Sequence, residues 1–142
     1  MIKCTLALAA TFTLVLSASA SAATPGSYSG PSVNKEIYLY GDIDPRTDKG
    51  KVTFNVKSNG RTVTKFKLKA QQIMCGATTA EVPVSIPKIQ LNSAGKGKGT
   101  YEDPSVGEFE VRIRFRDTGK ATGTITPTGL CSGKVTFSAR RK

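Results

Sequence analysis

The stretch Lys51-Val52-Thr53-Phe54-Asn55-Val56-Lys57-Ser58-Asn59-Gly60-Arg61-Thr62-Val63-Thr64-Lys65-Phe66-Lys67-Leu68 carries alternating apolar and polar runs on both sides of an Asn-Gly pair. Alternation with period two marks a strand with one buried face, and Asn-Gly tolerates the positive φ of a type I′ hairpin turn. Pairing outward from Ser58 and Arg61 sets Val56 opposite Val63. Continued further, it sets Phe54 opposite Lys65, while the apolar phase of the second run moves to Phe66 and Leu68. A β-bulge near Thr64-Lys65 restores apolar against apolar, because a slip of one residue turns every later side chain over.

The same alternation recurs along the chain. Ile37 and Leu39 alternate with Tyr38 and Tyr40, and Phe109, Val111, Ile113 and Phe115 alternate with Glu110, Arg112, Arg114 and Arg116. Val135, Phe137 and Ala139 alternate with Thr136, Ser138 and Arg140. Further strands are expected at 27–29, 82–91 and 121–126, with Pro83 and Pro87 confining the second to a sheet edge or a bent crossover. The glycine-rich segments Gly41–Gly50 and Gly95–Gly99 read as loops. No window carries a capped stripe of period 3.6, so no long helix is expected. Strands that bury one face behave as antiparallel sheets do, and turn signals recur about every ten residues. The expected fold is an all-β antiparallel sandwich, or a small barrel, of seven or eight strands.

The N-terminus reads as a leader. Lys3 precedes the uncharged apolar run Leu6–Leu16, and Ala18-Ser19-Ala20 and Ala20-Ser21-Ala22 offer small-x-small cleavage sites. That run is too short to span a bilayer as a helix, so residues 1–22 are assigned to a secretory signal peptide and 23–142 to one exported domain. Cys75 and Cys131 then remain in a protein bound for an oxidising compartment, and a disulfide between them is expected. Closing residues 75–131 into a loop contributes about 4 kcal/mol in the chain-entropy account.

The Gly26-Ser27-Tyr28-Ser29-Gly30 segment, Ala121-Thr122-Gly123-Thr124, and the tail from Cys131-Ser132-Gly133-Lys134-Val135-Thr136-Phe137 to Ser138-Ala139-Arg140-Arg141 share one pattern. It resembles a loose group of small secreted bacterial proteins with an early G-x-Y-x-G and a C-x-G-x-V-x-aromatic-x-A-R tail. The resemblance implies a secreted β-sandwich with its two cysteines paired. It implies no catalytic residue.

The chain has 142 residues, a formal charge of +11 and no His. Lacking His, it lacks the usual neutral-pH general base and the commonest metal ligand, and no cofactor is expected. Glu102-Asp103 and the pair Glu108 and Glu110 are the available acids for glycoside hydrolysis, which needs two carboxyls across a cleft, one with a raised pKa. Neighbours on a strand point to opposite faces, and Glu108 and Glu110 share a wet face with arginines, so an enzyme is the lesser expectation. Asp42, Asp44 and Asp48 supply oxygens of the kind a calcium loop uses. Arg46 and Lys49 offset their charge, and Asp is in any case a turn former. They are a weak calcium candidate.

The basic residues give the dominant signal. Arg112, Arg114 and Arg116 share one face of a strand, Lys65, Lys67 and Lys69 form a second such row, and Arg140-Arg141-Lys142 ends the chain. Stacked on one sheet they form a cationic plate suited to anionic polysaccharide or another cell-envelope polymer. Wet strand faces and edges also carry Lys and Arg simply to stay soluble. Specific nucleic acid is not an expected partner, since the Phe residues fall on the inward phase and leave no stacking platform. The rival binding reading is a glycan stacked on Tyr28, Tyr38, Tyr40 or Tyr101. The expected state is a monomer with no membrane span after processing.

Overall fold

The computed structural model describes residues 22–34, 50–116 and 119–142. They form eleven strands and, among the described residues, no helix. In chain order these are β1 (Gly26–Asn34), β2 (Gly50–Val56), β3 (Thr62–Lys69), β4 (Gln72–Cys75), β5 (Thr78–Glu81), β6 (Val84–Gln90), β7 (Lys96–Asp103), β8 (Gly107–Arg116), β9 (Lys120–Pro127), β10 (Cys131–Ser132) and β11 (Val135–Arg141). Eight of them make one antiparallel sheet in the order β6-β3-β2-β1-β11-β9-β8-β7. Its end strands β6 and β7 are consecutive in the chain and meet at the Leu91–Gly97 bridge, so the sheet curls almost to closure as a barrel. β10, β4 and β5 form a separate three-stranded sheet.

The opening hairpin explains how the barrel keeps its register. Val56 pairs with Val63, and between the pairs Thr53–Lys67 and Asn55–Thr64 the single Phe54 faces the two residues Lys65 and Phe66. That is the expected bulge, and Lys65 adopts the left-handed conformation with φ 53°. The register with β6 runs through this point without a shift. Thr64 pairs with Lys88 and Phe66 with Ile86, which puts Pro87, with no N–H to donate, across from the bulged Lys65. Apolar residues therefore stay opposite apolar residues on both sides of the defect.

The turn itself differs from expectation. Only Gly60 has positive φ, at 64°, and its N–H donates to the Lys57 carbonyl while the Lys57 N–H donates to Thr62. This is a four-residue loop rather than a two-residue type I′ turn. The Asn59 carboxamide stabilises it by accepting from the Arg61 N–H and donating to the Thr62 hydroxyl. The strand register is unchanged, because both loops place Val56 across from Val63.

Gly95–Gly99, expected to be a loop, is a second correction. Lys96 to Gly99 belong to β7 and pair with β8. Gly97 and Gly99 turn inward, where an added Cβ would come within 2.8 Å of Ile89 and Leu91 or 2.9 Å of Ile89. Glycine is what lets β7 lie against β6 and close the barrel.

The interior is filled by side chains. Tyr28 stacks on Phe54 with centroids 5.1 Å apart, Phe115 meets Tyr28 edge-on, and Phe66 reaches Phe137 from the other wall at 5.6 Å. Outward positions carry Lys, Arg, Glu, Thr and Ser, the reverse of a lipid-facing barrel wall. No helix among the described residues is long and apolar enough to cross a membrane. The small sheet lies at the end where β3, β7 and β9 finish, and its Ile73 is wholly buried in the common core. Cys75 and Cys131 are directly paired on β4 and β10 and joined by a disulfide. A bridge of this kind persists in oxidising surroundings. It links the segment after β3 to the segment after β9, strands on different walls of the barrel.

Candidate cationic groove

On β8 the buried phase is Phe109, Val111, Ile113 and Phe115, which forces Arg112, Arg114 and Arg116 outward. Lys96 pairs with Arg114 and Lys98 with Arg112 across the β7–β8 ladder. On the other side Arg114 pairs with Thr122 and Arg112 with Thr124 of β9. Two parallel rungs result, Lys96–Arg114–Thr122 and Lys98–Arg112–Thr124, about 6.6 Å apart along the strands. The rung between them is Gly97–Ile113–Gly123, whose outer surface is bare peptide. Together with Gln90 and Asn92 they line a groove of about 820 Å³.

Charge within the groove is uneven. Glu110, on the neighbouring rung and partly exposed, accepts from Lys98 Nζ at 2.7 Å and from Arg112 Nε. The Lys98 ammonium first, then the Arg112 guanidinium, hold the Glu110 carboxyl below its ordinary value. Among the described residues the ion pairs of the groove end there, leaving Lys96 and Arg114 without a carboxylate. An acid held ionised by two cations is poorly suited to donate a proton, so Glu110 does not have the raised pKa that glycoside hydrolysis requires of its acid. Glu108 faces Glu102 across the ladder.

The second expected row lies elsewhere. Lys65, Lys67 and Lys69 are exposed on β3, separated from β8 by β6 and β7 around the barrel. The two rows therefore do not form one flat plate: closure of the sheet turns them toward different directions. Lys65 and Lys67 meet Lys142, Ser27, Thr53 and Asn55 around a smaller depression of about 270 Å³. Lys69 instead stands opposite Lys51. Arg116 pairs with Lys120, and Lys120 with Arg140, at the end of the barrel away from the small sheet.

The tyrosines divide. Tyr28 is 1% exposed, its hydroxyl donates to the Thr24 carbonyl at 2.8 Å, and burial pushes its pKa up. Tyr101 is half-buried against Phe109. Neither offers an open face for a sugar, because both sit on the inward phase of their strands. Tyr38, Tyr40 and the aspartates Asp42, Asp44 and Asp48 lie outside the described residues, as do residues 1–21 of the expected leader. The Gly26–Gly30 segment serves the fold: a Cβ on Gly30 would strike the Ser138 carbonyl oxygen of β11 at 1.8 Å.

Lys96 and Lys98 were hidden by their glycines. Lys-Gly-Lys-Gly-Thr-Tyr alternates with period two as a strand does, with glycine on the inward phase where strands normally show an apolar side chain. Thr122 and Thr124 gave no signal beyond their place beside the arginine strand. Compared with family models, with curated proteins and with solved structures, the chain matches none.

Proposed function

We propose that the protein is a secreted, non-enzymatic binding module that holds anionic polymer of the cell envelope in the β7–β8–β9 groove. The observation that carries this reading is the convergence of Lys96, Lys98, Arg112 and Arg114 on one 820 Å³ groove whose lining holds no acidic residue, Glu110 reaching Lys98 and Arg112 from the neighbouring rung. A cleft lined mostly by one sign of charge focuses its field and draws polyanions toward it. The disulfide and the leader-like N-terminus support export. The barrel interior, filled with aromatic and aliphatic side chains, leaves the outer groove as the larger of the two described depressions.

Retention on heparin and teichoic-acid resins, followed through a salt gradient, tests this. Gln at Arg112, Arg114 and Arg116 changes no buried residue, so stability should move by less than about 0.5 kcal/mol. Affinity should fall about tenfold and its salt dependence should flatten, whereas Gln at Lys65, Lys67 and Lys69 should cost about twofold. Equal losses from the two triples would reduce the effect to net charge and overturn a localised site.

A further inference from the structure

We propose that Lys96 and Arg114 form a second carboxylate clamp, and that through it the groove takes a uronate-bearing polysaccharide. This rests on the binding reading above and names the ligand class of the same groove. The protein supplies its own template one rung away. Lys98 and Arg112 face each other across the ladder and share the Glu110 carboxylate, one oxygen on the Lys98 ammonium and the other on Arg112 Nε. Lys96 and Arg114 face each other in the same ladder, two residues further along both strands. Pairs two residues apart belong to the same hydrogen-bonding class and have the same separation, so the two Lys–Arg pairs are geometric copies.

The copies differ in what stands two residues before the arginine. For Arg112 it is Glu110, and for Arg114 it is Arg112 itself. The Glu110 carboxylate comes from the Thr100–Glu110 rung and bonds the Lys98–Arg112 rung beside it. Moved by one rung, that carboxylate would lie over Gly97, Ile113 and Gly123, the floor of the groove. The Gly97–Ile113–Gly123 rung projects no side chain outward, so an incoming carboxylate would lie there on bare peptide. An arginine and an ammonium together bind a carboxylate by charge-assisted hydrogen bonds.

The remaining lining points to a sugar rather than a peptide as the carrier. Thr122, Thr124, Gln90 and Asn92 surround the clamp with neutral donors and acceptors, and no apolar side chain projects from the outward rungs to receive a peptide residue. Ring hydroxyls and a carboxylate on one repeating unit match this mixture of neutral and cationic groups.

Titration of the full chain with oligogalacturonate, poly-glutamate and dextran sulfate of matched charge provides the test. Oligogalacturonate should bind at least fivefold more tightly than the other two. The Lys96→Gln, Arg114→Gln pair should weaken it tenfold or more. Removing the occupied clamp with its acid, by Lys98→Gln, Glu110→Gln and Arg112→Gln, takes one net positive charge and two groove cations away and should weaken it about threefold, clearly less than loss of the Lys96–Arg114 pair. Exchanging the pair, Lys96→Arg with Arg114→Lys, keeps the charge and should retain most of the affinity, which separates lost recognition from lost folding. Equal binding of all three polymers, or equal loss from both clamps, would overturn the uronate clamp while leaving the anionic-polymer reading in place. Failure of every anionic polymer to bind would remove both.

Discussion

Two walls of this barrel start from the same sequence device and end differently. β8 carries Arg112, Arg114 and Arg116, and β3 carries Lys65, Lys67 and Lys69, each a cation at every second residue. On β8 the ladders to β7 and β9 run without a break, so Arg112 and Arg114 each stand between a lysine of β7 and a threonine of β9, while Arg116 has Lys120 of β9 alone. On β3 a bulge at Lys65 breaks the register with β2, and the ladder partners of Lys67 are Thr53 and Ser85, neither of them a cation. The first wall becomes a groove of paired cations and the second a hollow about a third its volume. Strand period decides which residues share a face. Cross-strand register decides which of them make a site.

The strongest way to break both walls together is to cut what joins them. The Cys75–Cys131 bridge ties the chain beyond β3 to the chain beyond β9. Replacing both cysteines by Ser should lower unfolding free energy by about 4 kcal/mol in denaturant titration. A loss below about 1 kcal/mol would show that the small sheet holds without it. Gly123→Ala should damage the groove wall alone. Its Cβ would meet the Arg112 carbonyl oxygen at 2.2 Å and the Phe137 ring at 2.3 Å, neither of which can yield cheaply. Overpacking of this kind costs about 3 kcal/mol. Wild-type stability in that variant would mean that β8 and β9 are not so closely laid.

These costs bear on what the sequence showed. Alternation identified β2, β8 and β11, where an apolar residue fills every inward position, and β3 once its change of phase was read as a bulge. It failed at β7, where the inward positions are Gly97 and Gly99 and closure of the barrel, a tertiary demand, replaces the missing side chains. It also passed over β4, β5 and β10, strands of two to four residues too short to show a period. Half of the groove was legible as the arginine row. Lys96 and Lys98 were not, because their strand was read as a loop. The idea of one plate spanning both rows failed because no local pattern reports how far a sheet curls.

A gentler probe sharpens the contrast at the bulge. Lys65 holds φ at 53°, a region that costs a side-chain-bearing residue about 1–2 kcal/mol relative to glycine. Glycine regains entropy in the unfolded chain, which offsets part of that gain. Lys65→Gly should therefore stabilise the protein by about 0.5–1 kcal/mol, measured by the denaturant midpoint. Arg114→Gly, at a regular strand position, should destabilise by a similar amount. Destabilisation by both would mean that the bulge does not need its left-handed residue.

The smallest effect separates the walls by pH. Glu110 is held below its ordinary value of 4.5 by Lys98 and Arg112 together, and among the described residues the lysine wall shows no such ion pair. A carboxyl whose pKa is lower in the folded than in the unfolded chain contributes stability above the unfolded value. That contribution is lost as pH falls through the folded value. The groups facing Glu110 are Lys98 and Thr100 of β7, Thr126 of β9, and Glu108 and Arg112 of its own strand. Wild type should thus exceed Glu110→Gln in stability from neutral pH down to about 4.5, and the two curves should converge below it. Because the pair is open to solvent the gap should be small and should close in molar salt. Lys67→Gln on the other wall should show no acid-dependent step against wild type. A gap between wild type and Glu110→Gln that persists undiminished at pH 2 would assign the effect to packing of the Glu110 side chain and not to its charge.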